Sequence, residues 1–355
     1  MSLLTDFLVF AVSMFTTLVV LPRFANIAGR IGLLDLPDHR KVHSSPIPLV
    51  GGLGMIAGVT MSSLLFVPLA NLRGFFAGII VMTFAGFMDD YRELDHRVKF
   101  AAQITAAILM VYFSDTVLHT FGNLVGQGDI DFGIFSVPVT IFCTVGIINA
   151  INMIDGVDGL AGSISFIAFL SFAVLAYANG QYALVLICLA MSGAVLGFLR
   201  YNRHPSRLFM GDAGSLTLGL SLAFLSIAIT QKANSVIPPV APLLILAVPI
   251  VDTVAVMFKR GINGKSPFHA DKTHLHHVLL GFGINKKNTA RLMTALTLLL
   301  SCIAIAGSLL VVPEYLMFMA FAIYFVSYFV MPFMVRGMLT RRAISRMKYH
   351  ESVLK

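Results

Sequence analysis

Two adjacent carboxylates, Asp89 and Asp90, follow an apolar stretch that runs from about residue 75 to residue 88. Acidic residues are scarce, because the chain of 355 residues has only 17 aspartates and glutamates. Neighbouring carboxylates repel each other unless a positive group lies beside them, and oxygen ligands alone favour Mg²⁺ or Mn²⁺. The pair therefore predicts a divalent-cation site, although two acids can also serve only to keep a helix end in water.

Two further charged residues stand where predicted helices begin. Asp212 follows Gly211 at the start of an apolar run. Its carboxylate could cap that helix or ligate the same metal ion. Lys99 opens another apolar run, nine residues after Asp90. Its ammonium group can contact a diphosphate, or its stem can extend along the helix so that the charge reaches water.

A polar stripe closes the apolar run that ends near residue 153. Asn149, Asn152 and Asp155 recur at a spacing of three, which places them on one face of a helix. Asp158 follows at the same spacing, but Gly156 is expected to interrupt the helix before it. Amide and carboxylate groups suit hydrogen bonds to nucleobase edges and ribose hydroxyls. The stripe predicts a nucleotide site; the alternative is a loop that only solvates the helix end.

Histidines and one buried acid form the last polar group. Four of the ten histidines fall between residues 269 and 277, and three of them form the pattern His274-x-His276-His277. Histidines near acids can hold zinc, but this spacing packs them tightly for a tetrahedral site, and phosphate or sugar hydroxyls are equally suitable partners. Asp252 lies inside an apolar run, where an acid marks a functional site by default unless it satisfies a neighbouring helix.

The elements that must position these groups are apolar helices. The chain is 57% hydrophobic and 12% charged, with a mean hydropathy of +0.87, whereas soluble domains carry about 25% charged residues. We therefore expect an all-α integral membrane protein with one domain, residues 1–355, built as a polytopic bundle of about 11 (10–11) transmembrane helices. The predicted spans are 3–21, 47–68, 72–88, 98–114, 135–153, 159–178, 182–200, 213–230, 237–258, 290–311 and 315–335.

Charge predicts the orientation of this bundle. Of the 25 lysines and arginines, 23 fall in alternate connections, and only Arg73 and Lys232 fall on the other side. The positive-inside rule then places the N-terminus outside and the C-terminus in the cytoplasm. The basic face suits anionic lipids and substrates, whereas no basic soluble domain is present to hold nucleic acid. The candidate residues fall in its loops, 22–46, 89–99, 153–159, 201–213 and 259–289.

Five motifs follow one another along the chain: Arg40-Lys41-x-His43 with Pro46-x-Pro48 and Gly51-Gly52; Asp89-Asp90; Asn152-x-x-Asp155-Gly-x-Asp158-Gly; Phe209-Met-Gly-Asp212-x-Gly-Ser; and His274-x-His276-His277. In this order they resemble the motifs of the polyprenyl-phosphate N-acetylhexosamine-1-phosphate transferases, and the resemblance covers nearly the whole chain. The interrupted histidine run resembles that of the branches that make undecaprenyl-diphospho-N-acetylglucosamine and teichoic-acid precursors, whereas the cell-wall branch has three consecutive histidines.

The resemblance implies a reaction at the cytoplasmic face of a bacterial inner membrane. UDP-N-acetylglucosamine and undecaprenyl phosphate would give undecaprenyl-diphospho-N-acetylglucosamine and UMP, the start of an O-antigen or a related surface glycan. The implied cofactor is Mg²⁺ or Mn²⁺, held by Asp212 with Asp89 or Asp90. The implied catalytic residues are Asp89, Asp90, Asp212, His276 and His277, and the implied substrate-binding residues are Lys41, Lys99, Asn152, Asp155, Asp158, Asn202, Phe209, Asp252 and His274.

Two alternatives remain at this point. The first is the same reaction with another UDP-N-acetylhexosamine, as in teichoic-acid or cell-wall enzymes. The second is a lipid or ion transporter, but transporter sites lie near the bilayer midplane, whereas these polar residues cluster at one face. The resemblance also leaves a homodimer open.

Overall fold

The computed structural model describes residues 3–36, 45–232, 234–262, 264 and 274–330. Two short strands, β1 (Leu34–Asp35) and β2 (Ile47–Pro48), pair antiparallel, and the rest of the regular structure is helical. The helices are α1 (Leu3–Ile31), α2 (Gly51–Phe66), α3 (Arg73–Arg92), α4 (His96–Ser114), α5 (Ser136–Ile154), α6 (Leu160–Ala178), α7 (Tyr182–Asn202), α8 (Gly211–Thr230), α9 (Val240–Ile245), α10 (Ala247–Ile262), α11 (Leu275–Gly281), α12 (Lys286–Leu309) and α13 (Glu314–Val330).

Each of the eleven predicted spans overlaps a helix, with one revision. The ninth span, 237–258, is two helices, α9 and α10, which meet at Leu246. Pro249 lacks the N–H that would continue the helical hydrogen bonds at this point, which explains the break. By length and composition, seven of the described helices can cross a membrane, and α2 and α13 are shorter apolar helices. The chain is therefore an all-α membrane protein.

Successive long helices run in opposite directions, so the bundle has two ends. At one end lie Asp89, Asp90 and Asp212, and we call it the acidic end. The opposite end, which we call the far end, holds the connections α4–α5, α8–α9 and α12–α13. The described lysines and arginines, apart from Arg73 and Lys232, belong to elements at the acidic end. The charge asymmetry of the sequence is thus an asymmetry between the two ends of the bundle.

Helix α8 forms the centre of the core. It packs against α2, α3, α5 and α6, and 94% of its apolar window is buried inside the protein. Small residues allow this close approach. A side chain at Gly86 of α3 would bring a Cβ atom within 2.4 Å of the Ala213 Cα atom. The contact at Gly86 brings the acidic end of α3 directly against the first turn of α8.

Candidate active site

A cluster of two carboxylates and one lysine lies where α3, α4 and α8 meet. The Lys99 ammonium group, in the first turn of α4, contacts Asp89 Oδ2 and lies 3.3 Å from Asp212 Oδ2. Asp89 is 7% exposed, and its Oδ1 atom accepts a hydrogen bond from the Leu94 N–H (2.7 Å). We call Asp89, Lys99 and Asp212 the carboxylate cluster. It unites residues from two of the predicted loops, 89–99 and 201–213.

Asp90 has a different task from Asp89. Its two oxygens accept hydrogen bonds from the backbone N–H groups of Asp212 (2.7 Å) and Ala213 (3.1 Å), the first turn of α8. Asp90 therefore caps α8 from another helix, and Asp212 is not a cap. Gly211 has a φ of 69° and lies against Asp90, where a side chain would collide. Each Asp90 oxygen thus accepts a backbone hydrogen bond, which supports a positioning role, and the role of Asp90 as a metal ligand stays a prediction.

We expect Asp90→Ala to weaken both stability and turnover. Loss of the cap should cost about 1 kcal/mol, and Asp212 should lose its fixed position against Lys99. The matched control is Asn285→Ala, which removes a cap of similar strength from α12, where the side chain accepts from the Asn288 N–H (2.8 Å). Melting temperature and turnover are measured together. Equal fractional losses of turnover in the two variants would contradict the positioning role.

The carboxylate cluster fits a hard divalent cation. Lys99 already holds a positive charge between two carboxylate oxygens, and oxygen is the donor that Mg²⁺ prefers. Among the described residues, no group of three His, Cys, Asp or Glu side chains converges to hold a metal. Two protein carboxylates are enough for Mg²⁺, because this ion commonly takes its remaining ligands from water and substrate phosphates.

The polar stripe of α5 lies on the wall of a large cavity. Asn149, Asn152 and Asp155 all line it, as their spacing predicts. Asn152 Oδ1 accepts a hydrogen bond from the Ser215 hydroxyl of α8 (3.1 Å). Burial raises the pKa of Asp155 well above its usual range, and the negative charge of Asp212 raises it further. Asp155 is thus placed to gain from a cation or a hydrogen-bond donor on a ligand.

Three predicted substrate-binding residues make hydrogen bonds within the loops around the cavity, and their substrate contacts stay predictions. Asp158 accepts a hydrogen bond from the His204 ring (2.7 Å). Asn202 is buried, accepts from the Gly159 N–H (2.9 Å), and so ties the turn after α5 to the end of α7. The backbone of Phe209 pairs with β2 and with the start of α2. None of the three lines the cavity. Lys41, the remaining predicted phosphate contact, lies outside the described residues.

The histidines lie at the start of α11, with His274 directly before it, and they line the same cavity. His274, His276 and His277 all line it, and the His276 ring lies 4.3 Å from the His277 ring. Burial, reinforced by the charge of His277, lowers the pKa of His276 to about 4, so its ring is neutral at pH 7. Its Nδ1 atom is buried without a hydrogen-bond partner in the described structure. A ligand in the cavity could supply that partner.

Asp252 holds this histidine wall in place. Its carboxylate is 1% exposed and accepts three hydrogen bonds, from His274 Nδ1 (2.8 Å), the Leu275 N–H (2.7 Å) and the Tyr328 hydroxyl (2.7 Å). Asp252 does not line the cavity. These three hydrogen bonds support a positioning role, and the Tyr328 bond is the neighbouring-helix contact that the sequence left open. A direct contact between Asp252 and the substrate stays a prediction.

The cavity has a volume of about 1140 Å³ and changes character along its length. Near the acidic end it is polar, and beyond that its wall is apolar and continues to the far end. Phe142 and Val254 line it and are 78% and 45% exposed, so the wall is open at this place, which we call the lateral opening. The space suits an amphiphile with an anionic head and a long apolar tail.

Sequence reasoning missed several polar residues on this wall, among them Gln103 of α4 and Arg260 of α10. Gln103 is the single amide in an apolar run, and its carbonyl accepts from Asn149 (2.7 Å). A lone amide inside a predicted span was a usable signal for it. Arg260 belongs to a basic stretch, so nothing in the sequence set it apart from residues that only determine orientation.

Known proteins match this chain over most of its length. The sequence pattern of glycosyl transferase family 4 matches residues 72–230, which contain the carboxylate cluster and the α5 stripe. An undecaprenyl-phosphate alpha-N-acetylglucosaminyl 1-phosphate transferase of Escherichia coli (strain K12) is 33% identical over 327 residues, which cover 90% of this chain and 88% of the relative. The protein of the same name from Yersinia pestis is 33% identical over 311 residues, 85% of each chain. A probable undecaprenyl-phosphate N-acetylglucosaminyl 1-phosphate transferase of Bacillus subtilis (strain 168) is 33% identical over 283 residues, 78% of each chain.

Proposed function

Because this chain belongs to glycosyl transferase family 4, we propose that it transfers N-acetylglucosamine 1-phosphate from UDP-N-acetylglucosamine to undecaprenyl phosphate. The products are undecaprenyl-diphospho-N-acetylglucosamine and UMP. The observation that carries this proposal is the cavity, which joins a charged mouth at the carboxylate cluster to a long apolar wall. A nucleotide sugar fits the mouth, and a polyprenyl tail fits the apolar part.

The reaction exchanges one phosphorus–oxygen bond for another. An oxygen of the acceptor phosphate attacks the phosphorus atom that carries the sugar. The bond from that phosphorus to the UMP oxygen breaks, and UMP leaves with its electron pair. A phosphate monoester is mostly ionised at neutral pH, so the acceptor oxygen can attack without a protein base, and a role of Asp89 as a base is the alternative. The main barrier is the approach of two anions, and the protein must neutralise their charge.

The carboxylate cluster supports charge neutralisation. Asp89 and Asp212 would hold Mg²⁺ or Mn²⁺, which when bound neutralises the diphosphate and makes UMP a better leaving group. Lys99 already lies beside both carboxylates and is placed to pair with a phosphate oxygen once they have another cation. Asp90 keeps Asp212 in register through the first turn of α8.

The walls of the mouth support recognition of the donor. Asn152 and Asp155 offer hydrogen-bond partners for the uridine or its phosphates. The neutral His276 ring, with its unpartnered Nδ1 atom, can donate to or accept from the sugar hydroxyls or the acetamido group. Lys41 is proposed as a further phosphate contact on the strength of the sequence motif alone. A site that hydrogen-bonds one epimer rejects another strongly, because buried polar groups are then left unpaired.

We expect the acidic end to face the cytoplasm of a bacterial inner membrane, and the product to start an O-antigen or a related surface glycan. The basic charge of this end supports the orientation. Single cysteines introduced after Cys143, Cys188 and Cys302 have been replaced provide the test. Gln127→Cys, exposed at the far end, should react with an impermeant reagent in intact cells, and Lys287→Cys, exposed at the start of α12, should react only after lysis. The reverse pattern would contradict the orientation.

Donor choice is tested by competition on the purified protein. Undecaprenyl phosphate is supplied with equal concentrations of UDP-N-acetylglucosamine, UDP-N-acetylgalactosamine and UDP-N-acetylmuramoyl-pentapeptide, and the lipid products are separated by mass. We expect the N-acetylglucosamine product to predominate. A predominant product from either other donor would reject the sugar assignment and keep the reaction class.

A further inference from the structure

The apolar part of the cavity ends against a structured connection between α4 and α5. Leu118, Phe121 and Leu124 of this connection line the cavity together with Phe318 of α13. We call residues 118–132 the far-end hairpin. Its position is opposite the charged mouth, so it faces whatever part of a ligand lies farthest from the carboxylate cluster.

The far-end hairpin has a regular backbone. The Phe121 N–H donates to the Ile130 carbonyl (3.1 Å), and the Phe132 N–H donates to the His119 carbonyl (2.9 Å). The Phe121 ring meets the Phe132 ring edge-on at 4.7 Å. The aromatic surface at the end of the cavity is therefore held on paired backbone and is not a loose loop.

Three helices hold the hairpin in place. The side-chain amide of Gln231, just after α8, accepts from the N–H groups of His119 (2.9 Å) and Thr120 (3.2 Å) and donates to the Thr120 carbonyl (3.1 Å). Gln231 thereby satisfies three backbone groups of the hairpin, the N–H groups of His119 and Thr120 and the carbonyl of Thr120. The other two contacts are the Asn123 N–H to Glu314 Oε2 of α13 (2.8 Å) and the Leu118 N–H to the Thr140 hydroxyl of α5 (2.8 Å).

The length of the acceptor explains why the end of the cavity at the far-end hairpin matters for binding. An extended undecaprenyl chain is longer than the hydrocarbon core of a bilayer, which is about 30 Å thick. With the phosphate at the carboxylate cluster, a tail that follows the cavity must reach the far end or leave through the lateral opening. A short tail would end before the far end, so only long tails can gain binding energy from apolar contacts there.

We propose that Phe121 and Leu124 of the far-end hairpin, with Phe318, form the subsite for the terminal isoprene units and set the preference for acceptor length. The inference rests on the proposed function, because it assumes a polyprenyl phosphate acceptor. It assigns to the far-end hairpin a role in acceptor selection, whereas the charged mouth selects the phosphate and the donor.

The first test compares acceptors of different length. Undecaprenyl phosphate and farnesyl phosphate are used with the wild type, Phe121→Ala and Leu124→Ala. Loss of an apolar side chain that the bound tail would cover should lower the ratio of kcat/KM for undecaprenyl phosphate to kcat/KM for farnesyl phosphate about tenfold. The value of kcat/KM for farnesyl phosphate should be retained. Phe135→Ala is the matched control, because this phenyl ring lies at the same end, is 62% exposed and does not line the cavity. An unchanged ratio in both hairpin variants, or equal losses on both acceptors, would overturn the proposal.

The second test locates the bound tail by photocrosslinking and does not depend on catalytic turnover. Undecaprenyl phosphate with a photoreactive group on its terminal isoprene unit is irradiated with the wild-type protein, and labelled peptides are identified by mass. Labels on residues 118–132 or near Phe318 are expected, and labels confined to the acidic end would overturn the subsite. A wild type that releases no UMP with any acceptor would instead overturn the proposed function, so the two failures are distinguishable.

Discussion

Asp212→Asn should lower turnover on the order of 100-fold to 1000-fold, the usual effect of removing one group that stabilises developing charge. The side chain of Asp212 belongs to the carboxylate cluster, and an amide cannot neutralise a cation there. The protein should still fold, because Asp90 bonds the backbone N–H of residue 212, which the substitution keeps. The measurement is UMP release at saturating substrates over a range of magnesium concentrations.

Asp6→Asn is the matched control, since it makes the same chemical change in the first turn of α1, away from the carboxylate cluster. It should leave turnover unchanged. Near-normal activity of Asp212→Asn at low magnesium would contradict the assignment of Asp212 as a metal ligand. Recovery only at high magnesium would support it, because a weakened site fills when more cation is present.

Asp252→Ala should have the largest effect on stability. The substitution leaves His274, the Leu275 N–H and the Tyr328 hydroxyl buried without their shared partner. Unpaired buried groups cost about 1–3 kcal/mol each, so a total on the order of 3 kcal/mol is expected. Turnover should fall as well, because the histidine wall loses its anchor. Melting temperature in detergent, followed with and without UDP-N-acetylglucosamine, measures the first effect.

Two tyrosines of α13 provide a matched pair for this claim. Tyr328→Phe removes one of the three hydrogen bonds to Asp252 and should cost about 1 kcal/mol. Tyr324→Phe removes a buried hydroxyl that has no hydrogen-bond partner in the described structure, so it should cost nothing or stabilise slightly. Equal melting temperatures for the two variants would contradict the role given to Asp252.

Sequence patterns predicted the features that depend on neighbours along the chain. Apolar runs placed the helices, because a membrane span needs about 20 apolar residues. A spacing of three placed Asn149, Asn152 and Asp155 on one face, and they line one cavity. Alternation of the spans brought Asp89 and Asp212 to one end, although they are far apart in the chain.

The remaining features depend on contacts between distant helices, which residue types do not specify. Asp89 and Asp90 are identical in type, yet a rotation of about 100° along α3 turns one towards Lys99 and the other towards the first turn of α8. Asp252 looks like a ligand-binding acid until His274 and Tyr328 are known to surround it. The roles of these aspartates depend on the residues that contact them, and tertiary packing determines which residues those are.

The central claim is that the cavity joins a nucleotide sugar to a polyprenyl phosphate with transfer of the sugar and its phosphate together. The most direct measurement incubates the purified protein with UDP-N-acetylglucosamine, undecaprenyl phosphate and magnesium, and quantifies the nucleotide and lipid products. The account predicts equal amounts of UMP and undecaprenyl-diphospho-N-acetylglucosamine. Release of UDP with a lipid monophosphate sugar, or no nucleotide product at all, would contradict it.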